Sequence, residues 1–253
     1  MIIKISILQF KSFFANMTKN FQIVEKLFEN AIKESPDIIV LPELWSTGFY
    51  PKPIENFADK NGRETSKMLA TLAKKYDVNI VGGTVIVEEN NQFYNRCFVF
   101  NREGKNIAIY DKNHLFSMSK ENEVFTAGSE IPIFEIDSIK SSVIVCYDIR
   151  FPELIRQVAL CDISMLFVPA AWPIKRLSHW QILSRARAIE NQIFVIAANS
   201  AGHSAIINPW GDVLVESKLN DKILTTTINL DICKEIRDTM NVFADRCDSK
   251  IKI

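Results

Sequence analysis

Neither sign of charge is in surplus in this 253-residue chain: 30 Lys and Arg stand against 30 Asp and Glu. Such a balance supplies no basic footprint for nucleic acid and no cationic face for an anionic membrane, so neither is expected as a partner. Long apolar runs are also missing, since none approaches the roughly 18 residues that span a bilayer. The opening MetIleIleLysIleSerIleLeuGlnPhe alternates like a half-buried strand and lacks the apolar core and cleavage site of a signal peptide. A cytoplasmic location is the expectation. The five cysteines, Cys97, Cys146, Cys161, Cys233 and Cys247, are widely spaced and include no CysXxxXxxCys pair, which argues against a disulfide framework or a zinc site and for reduced thiols. Nothing resembles a phosphate loop. The one GlyGly pair, Gly82 and Gly83, falls inside an apolar strand, where small residues serve close packing rather than a cofactor. No metal or cofactor is expected, and a small molecule is the default partner.

What is present is enough to bury a large core: 47% of the residues are hydrophobic, and no linker divides residues 1–253, so one large α/β domain is expected. Phe21, Val24, Phe28, Ala31 and Ile32 recur at helical spacing after a cap at Asn16 or Thr18, and Pro36 closes that helix. Asp37 to Leu41 is a short apolar strand too uniform to have a wet face, and it runs into ProGluLeuTrp. A helix near Glu64 to Tyr76 and a strand meander ending at Asp111 and Lys112 follow. From residue 143 strands and helices alternate again, with helices to about Leu160 and over Ser178 to Glu190, strands over Met165 to Val168 and Phe194 to Ala198, and a hairpin around AsnProTrpGlyAsp. Strands alternating with helices favour sheets covered by helices, and two sheets with helices outside accommodate both halves. The tail, residues 231–253, is expected to dock on the body or on another subunit.

The stretch SerSerValIleValCysTyrAspIleArgPhePro, residues 141–152, organises the reading. Its β-branched run ends at Cys146, and Pro152 and Glu153 open a helix, so a thiol sits on a strand-to-helix turn with backbone N–H groups pointing toward it. The bland alternative is a small buried thiol. Glu43, Lys112 and Cys146 each follow an apolar strand, and a carboxylate, an ammonium and a thiol meeting at one sheet edge would form a reaction centre. A thiol with a pKa of roughly 8.5 needs a base at neutral pH. Glu43, between Pro42, Leu44 and Trp45, is that candidate, because apolar neighbours raise a carboxyl's pKa toward the task. Lys112 and the N–H of Tyr147 are the candidates for stabilising the oxyanion formed when a thiolate attacks a carbonyl.

Three stretches, LeuProGluLeuTrpSerThrGly (41–48), TyrAspLysAsnHisLeuPhe (110–116) and ValCysTyrAspIleArgPheProGlu (145–153), resemble in order and spacing the signature motifs of the nitrilase, or carbon–nitrogen hydrolase, superfamily. The resemblance implies a four-layer αββα sandwich with Glu43 as general base, Lys112 as oxyanion stabiliser, Cys146 as nucleophile and a second glutamate after the lysine motif. Glu121 matches that position best and Glu123 is the alternative. ProAlaAlaTrpPro (169–173) with the helix from His179 is similar to the omega-amidase branch, which hydrolyses amides of small carboxylic acids through a thioester and releases ammonia. Arg150 is the candidate cation for the substrate carboxylate, against a pairing with Asp148 or Glu153. Tyr147, His114 and Trp172 complete the substrate-binding candidates. Homodimers or larger homo-oligomers are implied as well.

The pattern departs from the family between 199 and 208, where AsnSerAlaGlyHisSerAlaIleIleAsn runs on without the usual loop, so one pocket wall is expected to be missing or rebuilt. N-carbamoyl amino acid hydrolysis and hydrolysis of deaminated glutathione stay open within the family, with nitrile hydrolysis behind them. A Cys–His hydrolase using His114, His179 or His203 and a non-catalytic binding protein on the same fold are the outside alternatives. Phe13, Phe14, Met68 and Phe125 are expected as core or pocket lining, core by preference.

Overall fold

Met165 to Ala170 and Phe194 to Asn199 are apolar without interruption because both of their faces are covered. Met165, Phe167, Phe194, Ile196 and Ala198 point into one buried cluster, while Leu166, Val168, Val195 and Ala197 point into another. These strands belong to one of two mixed sheets in the computed structural model, which describes residues 1–220 and 222–247. The first sheet contains β1 (Ile2–Leu8), β2 (Ile38–Val40), β3 (Asp59–Lys60), β4 (Asn79–Glu89), β5 (Gln92–Phe100), β6 (Asn106–Asp111) and β13 (Ile223–Asn229), in the order β13-β1-β2-β4-β5-β6 with β3 beside β4. The second contains β7 (Ile133–Ile136), β8 (Ile139–Val143), β9 (Met165–Ala170), β10 (Phe194–Asn199), β11 (Ala205–Ile207) and β12 (Val213–Glu216), in the order β12-β11-β10-β9-β8-β7.

The helices α1 (Met17–Ala31) and α2 (Arg63–Tyr76) cover the first sheet through Val24, Phe28, Leu69 and Leu72. On the second sheet α3 (Pro152–Ala159) and α4 (Leu177–Asn191) do the same through Ile155, Val158, Trp180 and Ala188. Between the sheets Ile3, Ile5, Ile7 and Val40 meet Val143, Phe167 and Ile196. The architecture is the four-layer αββα sandwich. In the tail, α5 (Asp231–Thr239) buries Cys233 and Ile236, and Arg237 reaches Asp162 at 2.5 Å and the carbonyl of Ile163 at 2.8 Å. Residues 248–253 of the expected tail lie outside the described residues.

Two details differ from the sequence reading. The strand expected over Val143 to Val145 is β8, which begins at Ile139 and ends at Val143; only the N–H of Ile144 continues the pairing, to the Phe167 carbonyl at 3.0 Å. Phe13 and Phe14 are not core, being 46% and 67% exposed, whereas Phe125 is buried against Leu44, Ile54 and Ile86.

Candidate active site

Glu43 lies three residues beyond β2, on a segment fixed by the bulge in β4. The Thr84 N–H donates to the Pro42 carbonyl at 3.1 Å, the Leu44 N–H donates to Thr84 Oγ1 at 2.8 Å, and the Trp45 N–H donates to the Thr84 carbonyl at 3.1 Å. Gly83, at φ +60°, makes this approach possible, since a Cβ there would run into the Pro42 carbonyl oxygen. The Glu43 carboxylate is 1% exposed and spans the two sheets. Its Oε1 accepts from Lys112 Nζ at 2.8 Å and from Asn95 Nδ2 at 2.9 Å, and its Oε2 accepts from the Ala171 N–H at 2.9 Å.

Lys112 follows β6, and its N–H extends that strand's pairing to the Asn95 carbonyl at 3.0 Å. Its ammonium, equally buried, also donates to Glu121 at 2.9 and 3.0 Å. Glu121 is fully buried and takes a further bond from the Phe116 N–H at 2.6 Å, whereas Glu123 is exposed and pairs with Lys120. The structure therefore puts Glu121, not Glu123, on the lysine. Burial pushes the Glu121 carboxyl above its ordinary range; Lys112 opposes that shift and Glu43 adds to it. Lys112 stays charged despite burial, because Glu43 and Glu121 more than offset its desolvation.

Cys146 stands at φ +46°, in the left-handed region, which costs a non-glycine residue about 1–2 kcal/mol. The turn from Cys146 to Arg150 is held by Asp148, whose Oδ2 accepts from the Val145 N–H at 2.8 Å and from the Tyr110 hydroxyl at 2.7 Å. The Cys146 thiol faces Glu43 beside the Ala171 N–H, which itself donates to Glu43 Oε2. Burial, with the Glu43 carboxylate second, pushes it well above the usual thiol range, and Lys112 opposes this only in part. The resting group is a thiol, not a thiolate, with a carboxylate in place to receive its proton.

Glu43, Lys112, Glu121 and Cys146 form the floor of a cavity of about 1250 Å³. Tyr147, Arg150 and Trp172 stand on its wall. Asp148 is occupied, and among the described residues Arg150 enters no ion pair; its guanidinium lies 4.6 Å from the Trp172 ring centroid and 3.3 Å from His179 Nδ1. His114 is outside the cavity wall. Its ring stacks on Phe151 at 3.6 Å and its Nδ1 lies 2.9 Å from Asp148 Oδ1, so it braces the turn beneath Cys146. After residue 199 the wall is formed by Ser200 and Ala201 together with Leu219, Asn220 and Lys222. Asn95, Asp148 and Asn199 are polar positioning residues that the sequence reading missed. Asn199 Oδ1 accepts from the Trp172 N–H at 2.7 Å and holds that wall in place. A lone amide within the apolar strand PheTyrAsnArgCysPheValPhe was the available signal for Asn95.

Among the described residues no group of three metal-ligating side chains occurs, and no helix is long and apolar enough to cross a membrane.

Comparison with known proteins gives a consistent picture. The carbon-nitrogen hydrolase family profile matches residues 4–238. The 2-oxoglutaramate amidase of Bacillus subtilis (strain 168) is 42% identical over 250 residues, covering 95% of this chain and 96% of that protein. A hydrolase in the agr operon of Staphylococcus aureus is 38% identical over 251 residues, with 95% and 96% covered. Among solved structures, a CN-hydrolase superfamily protein of Xanthomonas campestris, with an arsenic adduct in its active site, superposes with a TM-score of 0.91 at 28% identity over the whole of both chains.

Proposed function

Because the chain belongs to the carbon-nitrogen hydrolase family and is an amidase of it, we propose that it hydrolyses the terminal amide of a small 2-oxo acid, in the manner of an omega-amidase. Cys146 is the nucleophile, Glu43 the base, Lys112 the oxyanion stabiliser and Glu121 the second glutamate. The observation that carries this reading is that one carboxylate, Glu43, is in contact with the Lys112 ammonium and faces the Cys146 thiol on the floor of one cavity.

The chemistry follows from that contact. As Sγ attacks the amide carbon, Glu43 takes the thiol proton, so no standing thiolate is required. Charge developing on the carbonyl oxygen is stabilised by the Lys112 ammonium, already anchored by Glu43 and Glu121, and by the N–H of Tyr147. Protonated Glu43 then passes its proton to the departing ammonia, leaving a thioester on Cys146. The same carboxylate next deprotonates a water that attacks the thioester, and the acid is released with the thiol restored. Arg150, held over Trp172 and in no ion pair among the described residues, takes the substrate carboxylate in a two-point fork.

The test is ammonia release from 2-oxoglutaramate, succinamate and an N-carbamoyl amino acid, with Cys146→Ala alongside. Release from either of the first two that vanishes in the variant supports the reading. Release from the carbamoyl compound alone transfers the site to that chemistry, and release that survives in Cys146→Ala removes the thiol from the mechanism.

The same reading takes the chain as a single cytoplasmic domain that pairs with a second copy. The outer face of α4 favours the pairing, because Ile182 is 65% exposed there beside a further cavity of about 570 Å³. Sedimentation velocity on the wild type and on Ile182→Glu checks it: a dimer that dissociates in the variant is expected, and a wild-type monomer contradicts it.

A further inference from the structure

The cavity is larger than the roughly 300–1000 Å³ usual for small-ligand sites, and far larger than a five-carbon amide needs. Its outer wall is unlike the rest of this electrically balanced protein. Lys11, Lys19, Lys26, Arg176 and Lys222 line it, and among the described residues the only acids on the lining, Glu43 and Glu121, are taken up by Lys112 on the floor. Among the described residues none of these five cations is in an ion pair. Two of them lie on aromatic faces instead, Lys19 at 3.4 Å from the Phe13 ring centroid and Arg176 at 5.2 Å from that of Phe116.

Helix α1 shows the segregation most clearly. Lys19, Ile23, Lys26 and Asn30 recur at spacings of three or four along the face that borders the cavity. Glu25 and Glu29 fall on another face, near Lys75 of α2. A single helix thus turns its cations to the cavity and its acids away from it. The exposed Phe13 and Phe14 also line this outer wall, so apolar surface stands beside the cations there.

We propose that the outer half of the cavity is a second anion subsite, so that the preferred amides carry two anionic groups, one seated on Arg150 and one held among Lys11, Lys19, Lys26, Arg176 and Lys222. This rests on the amidase reading for the identity of the substrate, though not for the existence of the subsite. It is tested without turnover, by protection of Cys146 from iodoacetamide, mapped by peptide mass, with the exposed Cys161 and Cys247 as internal controls. Adipate and hexanoate, which differ by one carboxylate, are the protecting ligands. Adipate is expected to protect at a concentration about tenfold lower. The gap should close in Lys19→Gln/Lys26→Gln, two exposed positions, and should narrow at high salt in the wild type. Equal protection by the two acids, or a gap that persists unchanged in the double variant, overturns the proposal. Equal protection by the two acids in a wild type that still releases ammonia removes the subsite alone, whereas a gap in a wild type that releases no ammonia removes only the amidase reading.

Discussion

Lys112 on the cavity floor and Lys19 and Lys26 at its mouth carry the same charge under opposite conditions. Lys112 is 1% exposed and bridges two carboxylates, so its position is determined to within a hydrogen bond. The outer lysines are exposed and, among the described residues, enter no ion pair, so they act through field rather than geometry. Floor charges therefore suit bond-making, which needs groups held in place, and mouth charges suit selection among ligands before any bond is made.

The sharpest break in this comparison is a matched pair of substitutions. Lys112→Met leaves Glu43 and Glu121 facing each other without a cation, and should cost about 3–5 kcal/mol of stability along with all ammonia release. Lys19→Gln should stay within about 0.5 kcal/mol of wild type. Urea unfolding of both variants measures the contrast, and similar costs at the two sites would erase the distinction between floor and mouth.

Arg150 stands between the two regions. Replacement by Lys keeps the charge and loses the fork, so KM for 2-oxoglutaramate should rise about tenfold with kcat little changed, while a neutral amide such as butyramide is unaffected. Steady-state kinetics on both amides decide it; equal losses on the two would show that Arg150 shapes the wall without touching a carboxylate.

The smallest effect concerns pH. Burial holds the folded Glu121 carboxyl above the unfolded value of roughly 4.3, so the native state binds the extra proton. The associated stability is present below that unfolded value and is lost as pH rises through the folded one. Glu121→Gln has no such proton, so the stability of wild type relative to the variant should fall as pH is raised from 4 toward neutrality. Urea midpoints across that range check the sign, and a relative stability that climbs with pH would show the folded carboxyl to be depressed.

Much of this arrangement could be read before the fold was known, because Glu43, Lys112 and Cys146 each follow an apolar strand, and β9 and β10 are uniform runs covered on both faces. What escaped was long-range or locally unmarked. Asn95 meets Glu43 across 52 positions of chain, and β13 pairs with β1 from the far end of the sequence. The β7–β8 hairpin turns at Asp137 and Ser138, both at positive φ, without the glycine that usually marks such a turn. Phe13 and Phe14 read as core or pocket lining, with core preferred, and they line the mouth, since hydrophobicity alone does not say which side of a cavity wall a ring occupies. His114 adjoins the lysine motif in sequence, yet its bond to Asp148 turns it beneath Cys146 rather than toward the thiol.

That last contrast sets the most direct test of Glu43 as the base. Ammonia release from 2-oxoglutaramate by Glu43→Gln and by His114→Asn should separate cleanly: at least about a thousandfold loss of kcat in the first, at the scale of removing a general base, and a modest loss in the second. A dead His114→Asn beside an active Glu43→Gln would contradict the account, because the proton of Cys146 would then be leaving by way of the imidazole.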